Sequence, residues 1–144
     1  MFATVAVGTD GSETAERAVD AAIDLAEKCG AKLVFISAYK PIDDARLRRE
    51  QRDAPPQHHW QINPTEDVDA VLRDAEEKAN DRGVKWASEA SEGDPAEVII
   101  SLAAKHAADV IVVGSKGMQR KVLGSIPNTI SHKAECSVMI VKTT

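Results

Sequence analysis

Short apolar runs alternate along this chain with longer stretches in which apolar residues recur every three or four positions. Ala3 to Gly8, Leu33 to Ala38, Asp109 to Val113 and Ser137 to Val141 are the runs. Aliphatic residues in such short blocks, bounded by turn formers, predict strands buried on both faces. Val84 to Ala90 alternates weakly and is polar enough to predict an edge strand. Between the runs, Ala15, Ala18, Val19, Ala22, Leu25, Ala26 and Cys29 mark one face of a helix that Ser12 caps and Gly30 closes. Val68, Val71, Leu72, Ala75 and Ala79 mark a second helix, closed by Gly83. Asp94-Pro95 opens a third with proline at its first position, and Ile99, Leu102, Ala103 and His106 line its face. Ile126 to Ala134 predicts a fourth.

Strands and helices alternating at this spacing predict an α/β domain, doubly wound, with a five-stranded parallel sheet covered by helices on both faces. In such sheets ligands bind beyond the carboxyl ends of the strands, where the winding reverses. Two glycine-bearing turns follow strand ends: Thr9-Asp10-Gly11-Ser12 and Gly114-Ser115-Lys116-Gly117. They converge on one crevice if the first and fourth strands are neighbours. A single domain over 1–144 suits the 144 residues, interrupted by an irregular Lys40 to Pro64 segment. That segment carries four prolines, the cluster Arg46, Arg48, Arg49 and Arg52, and His58-His59-Trp60. Its length reads as a lid, a partner surface or a disordered strip.

The second glycine turn carries the chemistry. A strand feeding a glycine-rich turn and a helix start at Gly124-Ser125 is how a backbone cradles phosphate, since helix N-termini offer unpaired N–H groups and a partial positive charge. Charge agrees with this. From Gly114 to Lys142 there are Lys116, Arg120, Lys121, Lys133 and Lys142 against Glu135 alone, a local balance of +4 in a chain of net charge −5. The acidic remainder argues against nucleic acid or an anionic membrane as a partner. No apolar run reaches the ~20 residues that span a bilayer. Met1 to Val7 has no basic n-region and Asp10 ends the apolar start too early for a signal peptide, so the cytoplasm is the expected location. Cys29 and Cys136 read as small buried thiols, and His58-His59 has no matching third metal ligand.

No catalytic set stands out. There is no Gly-Lys-Ser/Thr of a P-loop and no G-x-G-x-x-G, and His106 and His132 read as helix-surface or core histidines. The expectation is a binding protein, with at most weak ATP hydrolysis.

Several of these motifs occur together in a known family. Val5-Ala6-Val7-Gly8-Thr9-Asp10-Gly11-Ser12, Asp94-Pro95, Val112-Val113-Gly114-Ser115-Lys116-Gly117, and Gly124-Ser125-Ile126-Pro127-Asn128 through Cys136-Ser137-Val138-Met139-Ile140-Val141 make the chain resemble the universal stress proteins nearly end to end. The resemblance implies strand order 3-2-1-4-5, a homodimer formed largely through the last strand and, in one branch, bound ATP. It assigns Thr9 and Asp10 to the adenosine side and Ala38 to backbone contacts with the base. Gly114, Ser115, Lys116 and Gly117 would wrap the phosphates, with Ser125 and Ile126 donating from the following helix start, and Val113 and Gly124 complete the expected nucleotide-binding set. Any Mg would enter only through the phosphates. Where that branch has nine residues between its second and third glycines, six separate Gly117 from Gly124. The loss is close to one helical turn. Cyclic AMP or AMP therefore stands beside ATP as the expected ligand. The alternative is an interaction protein of the same fold that binds no nucleotide and acts through its dimer surface and the Lys40–Pro64 segment.

Overall fold

The computed structural model describes residues 1–39, 64–115 and 124–143. Five strands form one parallel sheet: β1 (Thr4–Gly8), β2 (Lys32–Tyr39), β3 (Trp86–Glu92), β4 (Val110–Gly114) and β5 (Ser137–Val141). Their spatial order is β3-β2-β1-β4-β5, and every neighbouring pair is parallel. Among the described residues, four helices connect them: α1 (Glu13–Cys29), α2 (Pro64–Asp81), α3 (Pro95–Lys105) and α4 (Ser125–Lys133).

Strand alternation sorts the interior into two layers. Val5 and Val7 of β1, Leu33 and Phe35 of β2, and Val110 and Val112 of β4 pack with α1 and α2. Ala6, Val34, Ile36, Ile111 and Val113 point the other way and pack with α3 and Ile130 of α4. Because β1, β2 and β4 are interior strands, these side chains are almost fully buried. Fully burying each of the larger ones contributes about 1.5–3 kcal/mol.

Local signals set the helix boundaries. Ser12 Oγ accepts from Ala15 N–H at 3.2 Å, and Gly30 ends α1 in the left-handed region at φ 65°. Asp94 accepts from Glu97 N–H at 3.3 Å, with Pro95 starting α3. At the amino end of the sheet, Asp109 Oδ2 accepts from the N–H groups of Ala3 (2.8 Å) and Thr4 (2.9 Å). Those bonds, Thr4 first, hold its carboxyl below the usual carboxylate range.

The third strand departs from expectation. Its ladder begins at Trp86 and runs to Glu92 rather than starting at Val84. Val84 belongs instead to the end of α2, where its N–H donates to Ala79 O at 3.0 Å and its side chain is buried. An apolar residue just past a helix-ending glycine packs back on the helix, and that imitates the start of a strand. β3 is an edge strand, as expected. β5 is the other edge, and its Met139 and Ile140 are exposed by 37% and 39%, so this strand is not buried on both faces in the protomer. Cys29 and Cys136 are free thiols, half-buried rather than buried, and burial pushes the Cys136 thiol up.

Candidate functional site

The winding reverses between β1 and β4. β2 lies on one side of β1 and β4 on the other, and a crevice lies at the carboxyl ends of β1 and β4. Gly8, Thr9 and Asp10 form its floor and rim. Ile36 and Ala38 come from β2, Pro95 and Ile99 from the start of α3, Val113 and Gly114 from β4, and Ile126 and Pro127 from α4. Ser12, Thr14 and Ala15 add the first turn of α1. The cavity, open on one side, has a volume of about 130 Å³. Pockets that engulf a drug-sized ligand measure ~300–1,000 Å³, so this crevice has room for only part of a molecule of that size.

The β1–α1 turn is built by its own polar groups. Thr9 N–H donates to Ile36 O at 2.9 Å, tying the turn to β2. Thr9 Oγ1 accepts from Gly11 N–H at 3.3 Å, and Asp10 Oδ1 accepts from Ser12 N–H at 2.9 Å. Gly11 sits at φ 79°, a conformation that side chains disfavour. Thr9 is buried while Asp10 is exposed at the rim, where its carboxylate can accept from hydroxyl donors.

Of the residues expected at the site, the structure brings together Thr9, Asp10, Ala38, Val113, Gly114 and Ile126. Lys116 and Gly117 lie outside the described residues, as do Arg120, Lys121, His58, His59 and positions 40–63. Ser115 is next to the crevice but does not line it. Its side chain is fully buried, its N–H donates to Val141 O at 2.9 Å, and its Oγ accepts from Thr143 N–H at 3.0 Å. Gly124 is the N-cap of α4 and supplies no side-chain cap, while Ser125 is exposed at the first helical position. With proline at 127, Ser125 and Ile126 provide the amides of that helix start. Lys133, counted in the local positive charge, is paired with Glu97 at 3.0 Å.

A family model described as the universal stress protein family matches residues 1–142. The chain belongs to that family. It is 37% identical over 148 residues to universal stress protein Rv1636 of Mycobacterium tuberculosis, an alignment that covers 99% of this chain and 98% of the relative. Among solved structures, a universal stress protein in complex with cAMP has TM-score 0.74 and 31% identity, covering 99% of this chain and 98% of that one. The structure of hypothetical protein MJ0577 superposes with TM-score 0.76 at 22% identity, covering 100% and 98%, and shows the same fold.

Universal stress protein kinship accounts for the strand order that the resemblance implied, and the structure adds residues that sequence reasoning missed. Ile36, Pro95, Ile99 and Pro127 form apolar walls, and Ser12, Thr14 and Ala15 close the α1 side. Pro95 and Ser12 were visible as helix signals, but a helix cap carries no mark of the cavity it faces. Gly8 was visible only as a strand end. A Cβ there would collide with Ile99 Cδ1, so the bare backbone is what lets α3 approach β1. Among the described residues, no group of three or more His, Cys, Asp or Glu side chains could hold a metal ion. No described helix is long and apolar enough to cross a membrane.

Proposed function

We propose that this universal stress protein binds an adenine nucleotide in the β1–β4 crevice and acts as a cytoplasmic stress-response sensor or buffer rather than as an enzyme. The observation that carries this reading is an apolar crevice at the reversal point of the sheet, rimmed by Asp10 and by the start of α4. The base takes the slot between Ala38, Ile36 and Ile99, with the Ala38 backbone as its polar contact. Asp10 accepts from the ribose, the phosphates lie toward Gly114 and the Ser125 and Ile126 amides, and the family resemblance assigns Lys116 and Gly117 to them as well. A relative 31% identical to this chain is known in complex with cAMP, which supports a nucleotide of this class. Hydrogen bonds to a charged group contribute roughly 1.5–3 kcal/mol each, so three or four reach micromolar affinity after the cost of association. On this reading any ATP hydrolysis is weak, since the sequence carries no P-loop and no recognisable catalytic set, and any Mg arrives with the phosphates.

Calorimetric titration of nucleotide-stripped protein with ATP, AMP and cyclic AMP tests this. Micromolar binding of one of them, lost in Ala38→Phe with the fold intact, is the expected result. Silence from all three with a folded protein sinks the reading. The second reading is an interaction protein that assembles through β5, favoured by Met139 and Ile140 on its open edge. In that reading the homodimer, and not a ligand, is the functional unit.

A further inference from the structure

Three elements remote in sequence meet behind Gly114. Thr143, two residues past β5, is 3% exposed, and its N–H donates to Ser115 Oγ at 3.0 Å. Its carbonyl accepts from Arg17 Nη1 of α1 at 2.7 Å. Its hydroxyl lies 3.5 Å from Ser115 Oγ. Ser115 N–H is itself bonded to Val141 O at 2.9 Å. Gly114 sits inside this ring: a Cβ built on it would stand 3.1 Å from Thr143 Cγ2 and 3.4 Å from Thr14 O. The missing side chain at Gly114 is thus accounted for by the tail packed behind it and by α1, and the other side of the same backbone lines the crevice.

We infer that Arg17, Ser115 and Thr143 form a clasp that positions the exit of β4 against the first turn of α1, and so sets the phosphate side of the crevice. The ligand part of this inference rests on the nucleotide reading above. None of the three side chains lines the crevice, so they are positioning residues acting through Gly114 and Thr14. The physical reason is satisfaction at depth. Ser115 Oγ and Thr143 N–H are buried partners, and a buried donor left without an acceptor drives local opening. Arg17 fixes the third corner from outside, since its guanidinium reaches the Thr143 carbonyl from a half-exposed position on α1. Gly114, which lines the crevice, is the residue before Ser115, so an untethered Ser115 loosens the backbone that the family resemblance assigns to phosphate.

The test uses the 144-residue chain carrying Arg17→Gln, Arg17→Lys or Ser115→Ala, with Glu13→Gln as control because it neutralises the exposed 3.4 Å partner of Arg17 and leaves the Thr143 contact in place. Two readouts are made on each. The first is affinity for ATP, AMP, cyclic AMP and adenosine. Arg17→Gln and Ser115→Ala should weaken the phosphorylated ligand about tenfold or more and leave adenosine within about twofold. Arg17→Lys should recover most of the loss, and Glu13→Gln should change nothing. The second readout needs no ligand. Amide hydrogen exchange at Ser115, which Arg17 does not touch, should quicken about tenfold in Arg17→Gln while Thr9, bonded to Ile36, stays as in the parent. Equal losses for nucleotide and adenosine, or unchanged exchange at Ser115, would overturn the clasp. If the parent protein binds none of the four ligands, the nucleotide reading fails by itself and the exchange result alone decides whether the clasp holds β4 to α1.

Discussion

The backbone of Gly8 at the end of β1 lies directly against the side chain of Ile99 on α3. A single methyl group added at Gly8 would fall onto Ile99 Cδ1 and stand 3.0 Å from Cγ1. Both residues line the crevice, so their contact sets its depth as well as the packing of α3 on the sheet. Gly8→Ala should therefore cost about 1–3 kcal/mol of overpacking. Ile99→Val removes the clashing methyl and should recover part of that loss, giving a favourable coupling in a double-mutant cycle read by denaturant unfolding. Strict additivity of the two changes would show that the contact does not govern the fit.

Two glycines share a backbone conformation and differ in surroundings. At Gly30, φ 65°, the methyl of an alanine would meet nothing within 4 Å, whereas at Gly11, φ 79°, it would stand 2.7 Å from Val71 Cγ2. Gly30→Ala should cost only the left-handed strain, about 1 kcal/mol. Gly11→Ala should cost more, roughly 2–4 kcal/mol, because α2 must also shift. Thermal unfolding of the pair ranks them. Equal costs would mean that the β1–α1 turn relaxes away from α2 at no expense.

Acid should loosen the β3 edge in a predictable direction. Glu89 accepts from Lys105 Nζ at 2.8 Å and is paired with His106 Nε2 at 2.8 Å, and these partners, Lys105 first, hold its carboxyl below the usual range. A carboxyl lowered in the folded state stabilises fully above the ordinary value of about 4.3 and loses that contribution as pH falls through the lowered folded value. Glu89→Gln should then cost less than about 1 kcal/mol at neutral pH, the range of partly exposed pairs. The gap to the parent should close as pH drops below about 4. Unfolding midpoints from pH 3 to 7 check this, and a gap that widens in acid would contradict it.

Assembly through β5 has its own signature. Met139 and Ile140 are the exposed large apolar residues of that edge strand. If copies pair there, changing both to lysine should convert a dimer to a monomer in sedimentation. The unfolding free energy extrapolated to low concentration should stay within about 0.5 kcal/mol of the parent, because neither side chain is buried in the protomer. A parent protein that sediments as a monomer removes this route to assembly.

How far the sequence carried depended on how local each signal was. The starts of α1 and α3 were legible because Ser12 and Asp94 bond amides three residues away. The crevice was legible in outline from two glycine turns at strand ends. Which residues wall it was not, because Ile36, Ile99 and Pro127 belong to three separate elements whose apolar character already had a core to explain it. The task of Ser115 was hidden for the same reason. Its partner Thr143 is 28 residues away, and a serine after a glycine looks the same whether it faces a ligand or a buried amide. Trp86 as the true start of β3 was masked by Val84, whose burial comes from α2.

The two packing layers of this domain do not touch through the sheet, since side chains of β1 alternate between them. Around the crevice they come within reach of a common molecule: Ser12, Thr14 and Ala15 arrive from the α1 side, and Pro95, Ile99, Ile126 and Pro127 from the other. Anything seated there rivets the front of the sandwich to its back, so that neither helical layer can peel off while it stays. Occupancy would then be felt as mechanical cohesion of the whole domain, and heating a filled molecule would have to break both halves at once.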